Sequence, residues 1–240
     1  MKILDKIVRD KKLEVDRLSS NSSIKELENS SLFSRQCISL KDSILKSSGG
    51  IICEFKRRSP SNNNINYKSN ISEVIKGYQK AGAAGLSILT NKQYFDGDIQ
   101  DILEIREISS IPILRKEFII SEYQIIETKS IGSDAILLIA SILSKEEIKN
   151  YSSLAKDIGL EVLFEIHDAK EWKTTYRSIL DTLDLDQSQK NAIFAEANYA
   201  FRLNMYMFDE LSGTSKDSWN AAAKVFIQTL AGAISKLFKD

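Results

Sequence analysis

Three apolar stretches of this sequence end in charged side chains that could carry acid–base chemistry. Their ends are Glu54-Phe55-Lys56, Arg115-Lys116-Glu117-Phe118 and Glu165-Ile166-His167. Successive side chains of an extended strand point to opposite faces, so Glu54 and Lys56 are expected on the same face. Lysines and carboxylates that converge in a partly buried site shift each other's pKa toward working pH. Such a cluster would suit proton transfer with an anionic substrate.

The same residues also have a structural interpretation. A charged residue at the end of a strand is often solvated, or it forms an ion pair that supports only the fold. His167 is the one histidine of the chain, and it could be a hydrogen-bonded structural group rather than a base or a ligand. The pattern alone leaves both interpretations open.

The elements that would position these residues follow from five apolar stretches of strand length, which begin 23 to 34 residues apart. They are residues 51–55, 85–90, 111–115, 134–140 and 160–166. Amphipathic helical stretches separate them, and this alternation predicts a parallel sheet covered by helices, in either a barrel or a doubly wound fold. In a barrel the ligand site lies at the carboxyl ends of the strands, where the charged residues occur.

Helix boundary signals support this assignment. Ser121 with Gln124, and Ser144 with Glu147, have the spacing of capping boxes. Three glycines at the ends of helical stretches predict helix termination: Gly82, Gly132 and Gly159.

Both ends of the chain have helical patterns. The leading segment has apolar residues near helical spacing, which predicts an amphipathic helix: Ile3, Leu4, Ile7, Val8, Leu13, Val15 and Leu18. Residues 168–240 contain only two glycines and no convincing apolar strand, and their apolar stripes predict helices. We therefore expect a βα portion over residues 1–167 and an all-helical segment over residues 168–240.

Composition narrows the classes of function. A chain of 240 residues that is 42% hydrophobic can bury the core of one α/β domain. Lys+Arg and Asp+Glu each number 33, so the net charge does not favour nucleic-acid binding. The charged N-terminal segment has no apolar run, so we expect no signal peptide, no membrane span and a cytoplasmic location. Cys37 and Cys53 form no C-x-x-C pair, which indicates a reducing compartment, buried thiols and no metal site.

Seven segments of residues 1–168 resemble, in order and spacing, those of the indole-3-glycerol phosphate synthases. They are ILDKIV, IICEFKRRSPS, YFDGD, IPILRKEFI, YQIIE, DAILLIA and LEVLFEIHD. The resemblance implies a (β/α)8 (TIM) barrel and a carbon–carbon lyase of tryptophan biosynthesis. Its small phosphorylated substrate would be 1-(o-carboxyphenylamino)-1-deoxyribulose 5-phosphate. The family acts on it by ring closure, decarboxylation and dehydration, without metal or organic cofactor.

The resemblance also implies roles for individual residues. Lys116 matches the general acid that assists attack on the substrate carbonyl, and Glu165 matches the acid–base partner in dehydration. Lys56 matches the lysine that holds the substrate carboxylate and takes part in proton transfer, with Glu54 as its companion. Two further sets match substrate-binding positions: Ser59, Pro60 and Ser61 near the phosphate, and Phe95, Phe118 and Leu137 around the anthranilate ring.

The last third of the chain departs from this family. The family's seventh and eighth strands build the phosphate site, and residues 168–240 show none of their motifs. We therefore expect an incomplete barrel of five βα units with impaired activity, or a non-catalytic barrel fragment. Residues 168–213 resemble the C-terminal part of a cyanobacterial-type haem oxygenase without its proximal histidine. We therefore expect the chain to be chimeric. We also expect it to self-associate through the open edges of its sheet.

Overall fold

The computed structural model describes residues 3–165 except Ser48, Asn63 and Tyr67. These residues form a five-stranded parallel sheet with helices between the strands. The strands are β1 (Ile52–Phe55), β2 (Gly85–Leu89), β3 (Ile113–Lys116), β4 (Ala135–Ile139) and β5 (Glu161–Glu165). The helices are α1 (Ile3–Asn21), α2 (Ile24–Glu28), α3 (Leu40–Lys46), α4 (Ile71–Lys80), α5 (Lys92–Phe95), α6 (Ile99–Arg106), α7 (Glu122–Ser130) and α8 (Lys145–Asp157). A 3-10 turn spans Ala140–Ile142.

The order of the strands decides between the two folds that the sequence pattern allowed. Each strand pairs in parallel with the next one along the chain, in the order β1-β2-β3-β4-β5. A doubly wound sheet reverses its strand order at a switch point, whereas a barrel adds its strands consecutively. The prediction of an incomplete TIM barrel is confirmed over the described residues, which contain four βα units and the strand of the fifth.

Alternating side chains give the sheet two apolar faces. Ala135, Leu137 and Ile139 of β4 lie on the inner face, where they share a core cluster with Leu40 of α3. Ile136 and Leu138 point outward into the layer under α7 and α8. A second outer layer, under α4 and α6, contains fully buried side chains such as Ile75 and Ile102. β2 and β4 are buried on both faces, which explains their largely apolar sequences, whereas the edge strands β1 and β5 are only partly buried.

The helix ends confirm most of the predicted boundary signals. Ser144 and Glu147 form the capping box of α8. Positive φ angles of 84°, 84° and 80° end the helices that precede the following strands, at Gly82, Gly132 and Gly159.

The predicted capping box of Ser121 with Gln124 is wrong. Ser121 does cap α7, because its side chain accepts a hydrogen bond from the backbone N–H of Tyr123. Gln124 does not complete the box, since its Oε1 accepts from the N–H of Ile120 at 2.8 Å. Its Nε2 donates to the carbonyl of Phe118 at 2.9 Å. The loop after β3 therefore uses the amide that the sequence pattern had assigned to the helix end.

The predicted leading helix is present as α1, and it buries a narrow stripe of Ile7, Lys11 and Val15.

No helix of the described part is long and apolar enough to cross a membrane. Cys37 and Cys53 are free thiols and are half-buried, so the expectation of buried thiols is met only in part. The predicted tail helices and His167 lie outside the described residues.

Candidate functional site

A cavity of about 230 Å³ opens at the carboxyl ends of the strands, on the inner face of the sheet. Every one of the five strands or the residues just after it contributes to the lining, together with the start of α1. The lining residues are Leu4, Glu54, Lys56, Leu89, Phe95, Lys116, Glu117, Phe118, Leu137, Ile139 and Glu165. The cavity therefore lies at the end of the sheet where TIM barrels carry their active sites.

The polar part of this cavity is a cluster of three side chains centred on Glu54. Its Oε1 accepts a hydrogen bond from Nζ of Lys56, and its Oε2 accepts one from Nζ of Lys116, both at 2.8 Å. Glu54 lies in β1 and Lys56 directly follows the strand, two positions further on, so the two side chains share a face as predicted. Lys116 reaches the same point from the end of β3, two strands away. The expected convergence of lysines and a carboxylate is present in the structure.

The environment of Glu54 favours its ionised form. Partial burial acts to raise its pKa, but the hydrogen bonds and charges of Lys116 and Lys56 outweigh burial and hold the pKa of Glu54 below its usual value. The side chains of Lys56 and Lys116 are 31% and 39% exposed, so both ammonium groups remain accessible from the cavity. Two ammonium groups around one carboxylate give this cluster an excess positive charge where the lysines lie, and the other carboxylates of the cavity lining belong to Glu117 and Glu165.

Most of the remaining cavity wall is apolar, and Glu117 and Glu165 are its other charged lining residues. The rings of Phe95 and Phe118 face each other with centroids 6.2 Å apart and planes inclined by 33°. Leu137 and Ile139 of β4 continue the wall on the inner face. A flat aromatic group can be held between such side chains while its polar substituents reach the lysines.

The two charged neighbours of Lys116 lie in different places. Arg115 points to the outer side of the sheet, where it donates to Glu127 at 2.6 Å and is buried under α7. Glu117 has a buried carboxylate and borders the cavity, where it accepts a hydrogen bond from Thr90. The structural interpretation therefore applies to Arg115, whose charge is paired on the side of the sheet away from the cavity.

The remaining predicted site residues occupy two different places. Glu165 ends β5 and lines the cavity with the other predicted catalytic residues. Ser59, Pro60 and Ser61 lie on the loop after β1, where Ser59 and Asn62 pair through two backbone hydrogen bonds in a tight turn. These three loop residues do not belong to the described lining of the cavity.

The sequence analysis assigned no role to four lining residues: Leu4, Leu89, Glu117 and Ile139. Ile139 could have been found, because strand alternation puts it on the same face as Leu137. Leu89 is the register partner of Lys116, and only the pairing of β2 with β3 reveals that relationship. Leu4 belongs to α1, and helical periodicity does not indicate where that helix packs.

Metal chemistry has no candidate centre in residues 3–165. Within that described range, no group of three or more His, Cys, Asp or Glu residues is arranged to hold a metal ion.

Comparison with known proteins gives consistent results. The family model for indole-3-glycerol phosphate synthase matches residues 4–181. The indole-3-glycerol phosphate synthase of Bacteroides thetaiotaomicron is 38% identical over 201 residues, which is 84% of this chain and 77% of that protein. Its counterpart from Thermoanaerobacter pseudethanolicus is 35% identical over 205 residues, covering 85% of this chain and 78% of that one.

A third relative aligns over more of the chain. The indole-3-glycerol phosphate synthase of Desulfotalea psychrophila is 30% identical over 239 residues, which is 99% of this chain and 92% of that protein. None of these matches supports the resemblance of residues 168–213 to haem oxygenase.

Proposed function

Because the chain belongs to the indole-3-glycerol phosphate synthase family, we propose that its cavity is the active site for that family's reaction. The reaction is the ring closure, decarboxylation and dehydration of 1-(o-carboxyphenylamino)-1-deoxyribulose 5-phosphate. The observation that carries this proposal is the Glu54 carboxylate, which bridges the ammonium groups of Lys56 and Lys116 beside an aromatic wall.

Lys116 acts as the general acid of ring closure. Attack of the aromatic ring on the substrate carbonyl places negative charge on the carbonyl oxygen, and a nearby ammonium group can stabilise that charge and donate a proton. The hydrogen bond to Glu54 limits the directions in which the flexible lysine side chain can point. Its catalytic group is therefore positioned before the substrate binds.

Lys56 holds the substrate carboxylate and takes part in proton transfer. The carboxylate lost as carbon dioxide must first be bound, and Lys56 offers a partly exposed ammonium group on the same side of the cavity as Lys116. Glu54 keeps the two cations apart and partly neutralises them. Without that carboxylate the two lysines would repel each other across a partly buried site.

Glu165 serves as the acid–base partner in dehydration, and the apolar wall holds the anthranilate ring. Glu165 lines the cavity at the end of β5, so it can reach the substrate from a different strand than Lys116 does. Phe95, Phe118 and Leu137 form the wall that excludes water from the ring. Separate strands thus supply the groups for successive proton transfers, which matches the general design of TIM-barrel active sites.

The phosphate group is assigned to the loop of Ser59, Pro60 and Ser61. This loop follows β1 directly, so it lies at the same end of the sheet as Glu54 and Lys56. The hydroxyl groups of Ser59 and Ser61 form a hydrogen bond with each other at 3.1 Å, which leaves one of the two hydroxyl protons to donate to a phosphate oxygen. The family places the rest of its phosphate site after the fifth strand, and residues 168–240, which lie outside the described residues, show none of those motifs in their sequence.

A non-catalytic, ligand-binding barrel fragment is the alternative function. The purified full chain should be incubated with the substrate while the fluorescence of the indole product is followed, and substrate binding should be measured separately by calorimetry. Turnover together with binding supports the enzyme. Binding without turnover favours the fragment, and the absence of both would refute the proposed site.

Three further proposals concern the chain as a whole. We place the protein in the cytoplasm, a proposal that rests on its charged N-terminal segment. We also keep the division into a barrel portion at 1–167 and a helical, haem oxygenase-like segment at 168–240 as a proposal.

The third proposal is self-association through β1 and β5, and light scattering of the purified chain at several concentrations tests it. A monomer at all concentrations would contradict self-association.

A further inference from the structure

Helix α1 buries a charged residue in the middle of its packing face. Its buried residues are Ile7, Lys11 and Val15, and the side chain of Lys11 is only 2% exposed. Lysine is seldom buried to this extent unless it is paired. Burying the ammonium group costs solvation free energy that an apolar side chain of the same length would not lose. The buried ammonium group of Lys11 therefore needs an anionic partner close to it.

That partner is Glu117, the residue that directly follows Lys116. Nζ of Lys11 lies 3.1 Å from Oε2 of Glu117, whose side chain is 1% exposed. Glu14, one turn further along α1, approaches the same ammonium group at 2.8 Å but is 41% exposed. Lys11 and Glu117 thus form a buried ion pair between α1 and the end of β3, across 106 residues of sequence.

Three hydrogen bonds hold the carboxylate of Glu117 in addition to the ion pair with Lys11. Its Oε2 accepts from the hydroxyl of Thr90 at 2.9 Å. Its Oε1 accepts from the backbone N–H of Phe118 at 2.9 Å and from Nδ2 of Asn91 at 3.4 Å. Three donors and the ammonium group of Lys11 therefore surround the carboxylate and fix its orientation.

Two of these donors lead to the aromatic wall of the cavity. Phe118 is held through its own backbone N–H. Asn91 caps α5 by accepting from the N–H of Tyr94, and α5 ends at Phe95. One carboxylate therefore helps to fix the starting points of both wall residues, Phe95 and Phe118.

The same ion pair also holds α1 over the cavity. Leu4 of α1 lines the cavity and lies seven residues before Lys11, which is about 10 Å, or two turns, along the helix. A second contact comes from the hydroxyl of Tyr94, which donates to Asp10 at 2.6 Å. The Lys11–Glu117 pair is the buried member of these attachments, and it connects α1 to the strand end that carries Lys116.

On the premise of the proposed function, we propose that Lys11 and Glu117 are positioning residues for the reaction. Their ion pair docks α1 over the cavity and aligns the rings of Phe95 and Phe118 that hold the aromatic ring of the substrate. Neither residue exchanges a proton with the substrate. Their contribution is to binding geometry, so their loss should appear mainly in KM rather than in kcat.

The test compares variants of the full chain. Lys11→Met removes the charge and keeps the length of the side chain, and it should raise KM about tenfold while kcat changes less than about threefold. Lys11→Arg keeps a cation near Glu117 and should recover most of the loss. Lys12→Met changes an exposed residue of the same helix and should leave KM unchanged.

A double variant separates positioning from stability alone. Lys11→Met with Glu117→Gln leaves no unpaired buried charge, so the midpoint of urea unfolding should return toward that of the wild type. KM should remain raised, because the neutral side chains do not tie α1 to Phe118 as the ion pair does. Recovery of both the midpoint and KM would show that the pair is only structural.

Hydrogen exchange in the absence of substrate keeps this inference distinct from the proposed function. Exchange of the α1 amides should become about tenfold faster in Lys11→Met and stay unchanged in Lys12→Met. Unchanged exchange in Lys11→Met overturns the docking role whatever the turnover. Faster exchange with an unchanged KM overturns the positioning role. Faster exchange in a chain whose wild type shows no turnover would overturn the proposed reaction while supporting the docking of α1.

Discussion

The carboxylate of Glu54 accepts a hydrogen bond from Nζ of Lys116 at 2.8 Å, although 62 residues separate the two along the chain. The parallel pairing of β1 with β2 and of β2 with β3 brings their ends together. Because Glu54 also accepts from Lys56, one carboxylate organises both cationic groups that we assign to the substrate. The proposed roles of Lys56 and Lys116 depend on this arrangement.

Glu54→Gln should therefore impair the reaction without removing either lysine. A neutral amide cannot offset the repulsion between the two ammonium groups, and its NH2 group cannot accept a hydrogen bond from a lysine. We expect kcat/KM to fall about ten- to a hundredfold in the indole fluorescence assay. Glu73→Gln, at an exposed position of α4, is the control and should behave like the wild type. Equal activity of both variants would count against the role of Glu54.

Glu54 should also make stability depend on pH. Although burial opposes the effect, hydrogen bonds from Lys116 and Lys56 hold its folded-state pKa below the ordinary value of 4.5. A group with a lowered pKa stabilises the folded state above its unfolded pKa and loses that contribution as pH falls through the folded value. Urea unfolding should thus show a difference between wild type and Glu54→Gln that is largest near pH 7 and shrinks below about pH 4. A difference independent of pH would contradict this.

The aromatic wall should act on substrate binding. Phe95→Leu and Phe118→Leu each remove part of the flat surface around the anthranilate ring, so KM should rise about three- to tenfold with a smaller change in kcat. Phe33→Leu, which changes a phenylalanine that does not line the cavity, should leave KM unchanged. If all three variants share the same KM, the ring is bound elsewhere.

Much of the fold could be predicted from the sequence. Continuous apolar runs mark strands buried on both faces, and the observed β1 to β5 fall within one to two residues of the predicted bounds. Consecutive pairing could not be read from the runs, because barrels and doubly wound sheets share the same alternation of elements. The predicted role of Gln124 in a capping box was wrong because its side chain bonds to the loop before α7 instead, and helix spacing does not reveal that contact.

The site was predictable to the extent that strand ends determine it. Glu54, Lys56, Lys116 and Glu165 meet in one cavity because parallel strands end at the same edge of the sheet. Helical spacing puts Lys11 on the same face as Ile7 and Val15, but its partner could not be predicted, and a lysine is normally assigned to the solvent face. Its burial results from the packing of α1 on the end of β3, which is a tertiary contact.

The sheet edges lead to a prediction about local stability. Within the described residues, β1 pairs only with β2, and β5 pairs only with β4. Amides with fewer partners exchange through smaller openings, so those of β1 and β5 should exchange about tenfold faster than those of β2 to β4. Hydrogen exchange followed by mass spectrometry can resolve these segments. Equal, strong protection across all five strands in a monomer would mean that both edges are paired by other parts of the chain.

The most direct test of the assigned chemistry is to compare Lys116→Ala with Lys46→Ala, measuring both turnover and substrate affinity. Lys46 lies on α3 with an 80% exposed side chain, so its loss should affect neither quantity. If Lys116 is the general acid of ring closure, its removal should lower kcat by about a hundredfold or more. The calorimetric Kd for the substrate should change much less, because Lys56 and the aromatic wall remain. Turnover by Lys116→Ala at the rate of Lys46→Ala would contradict the account.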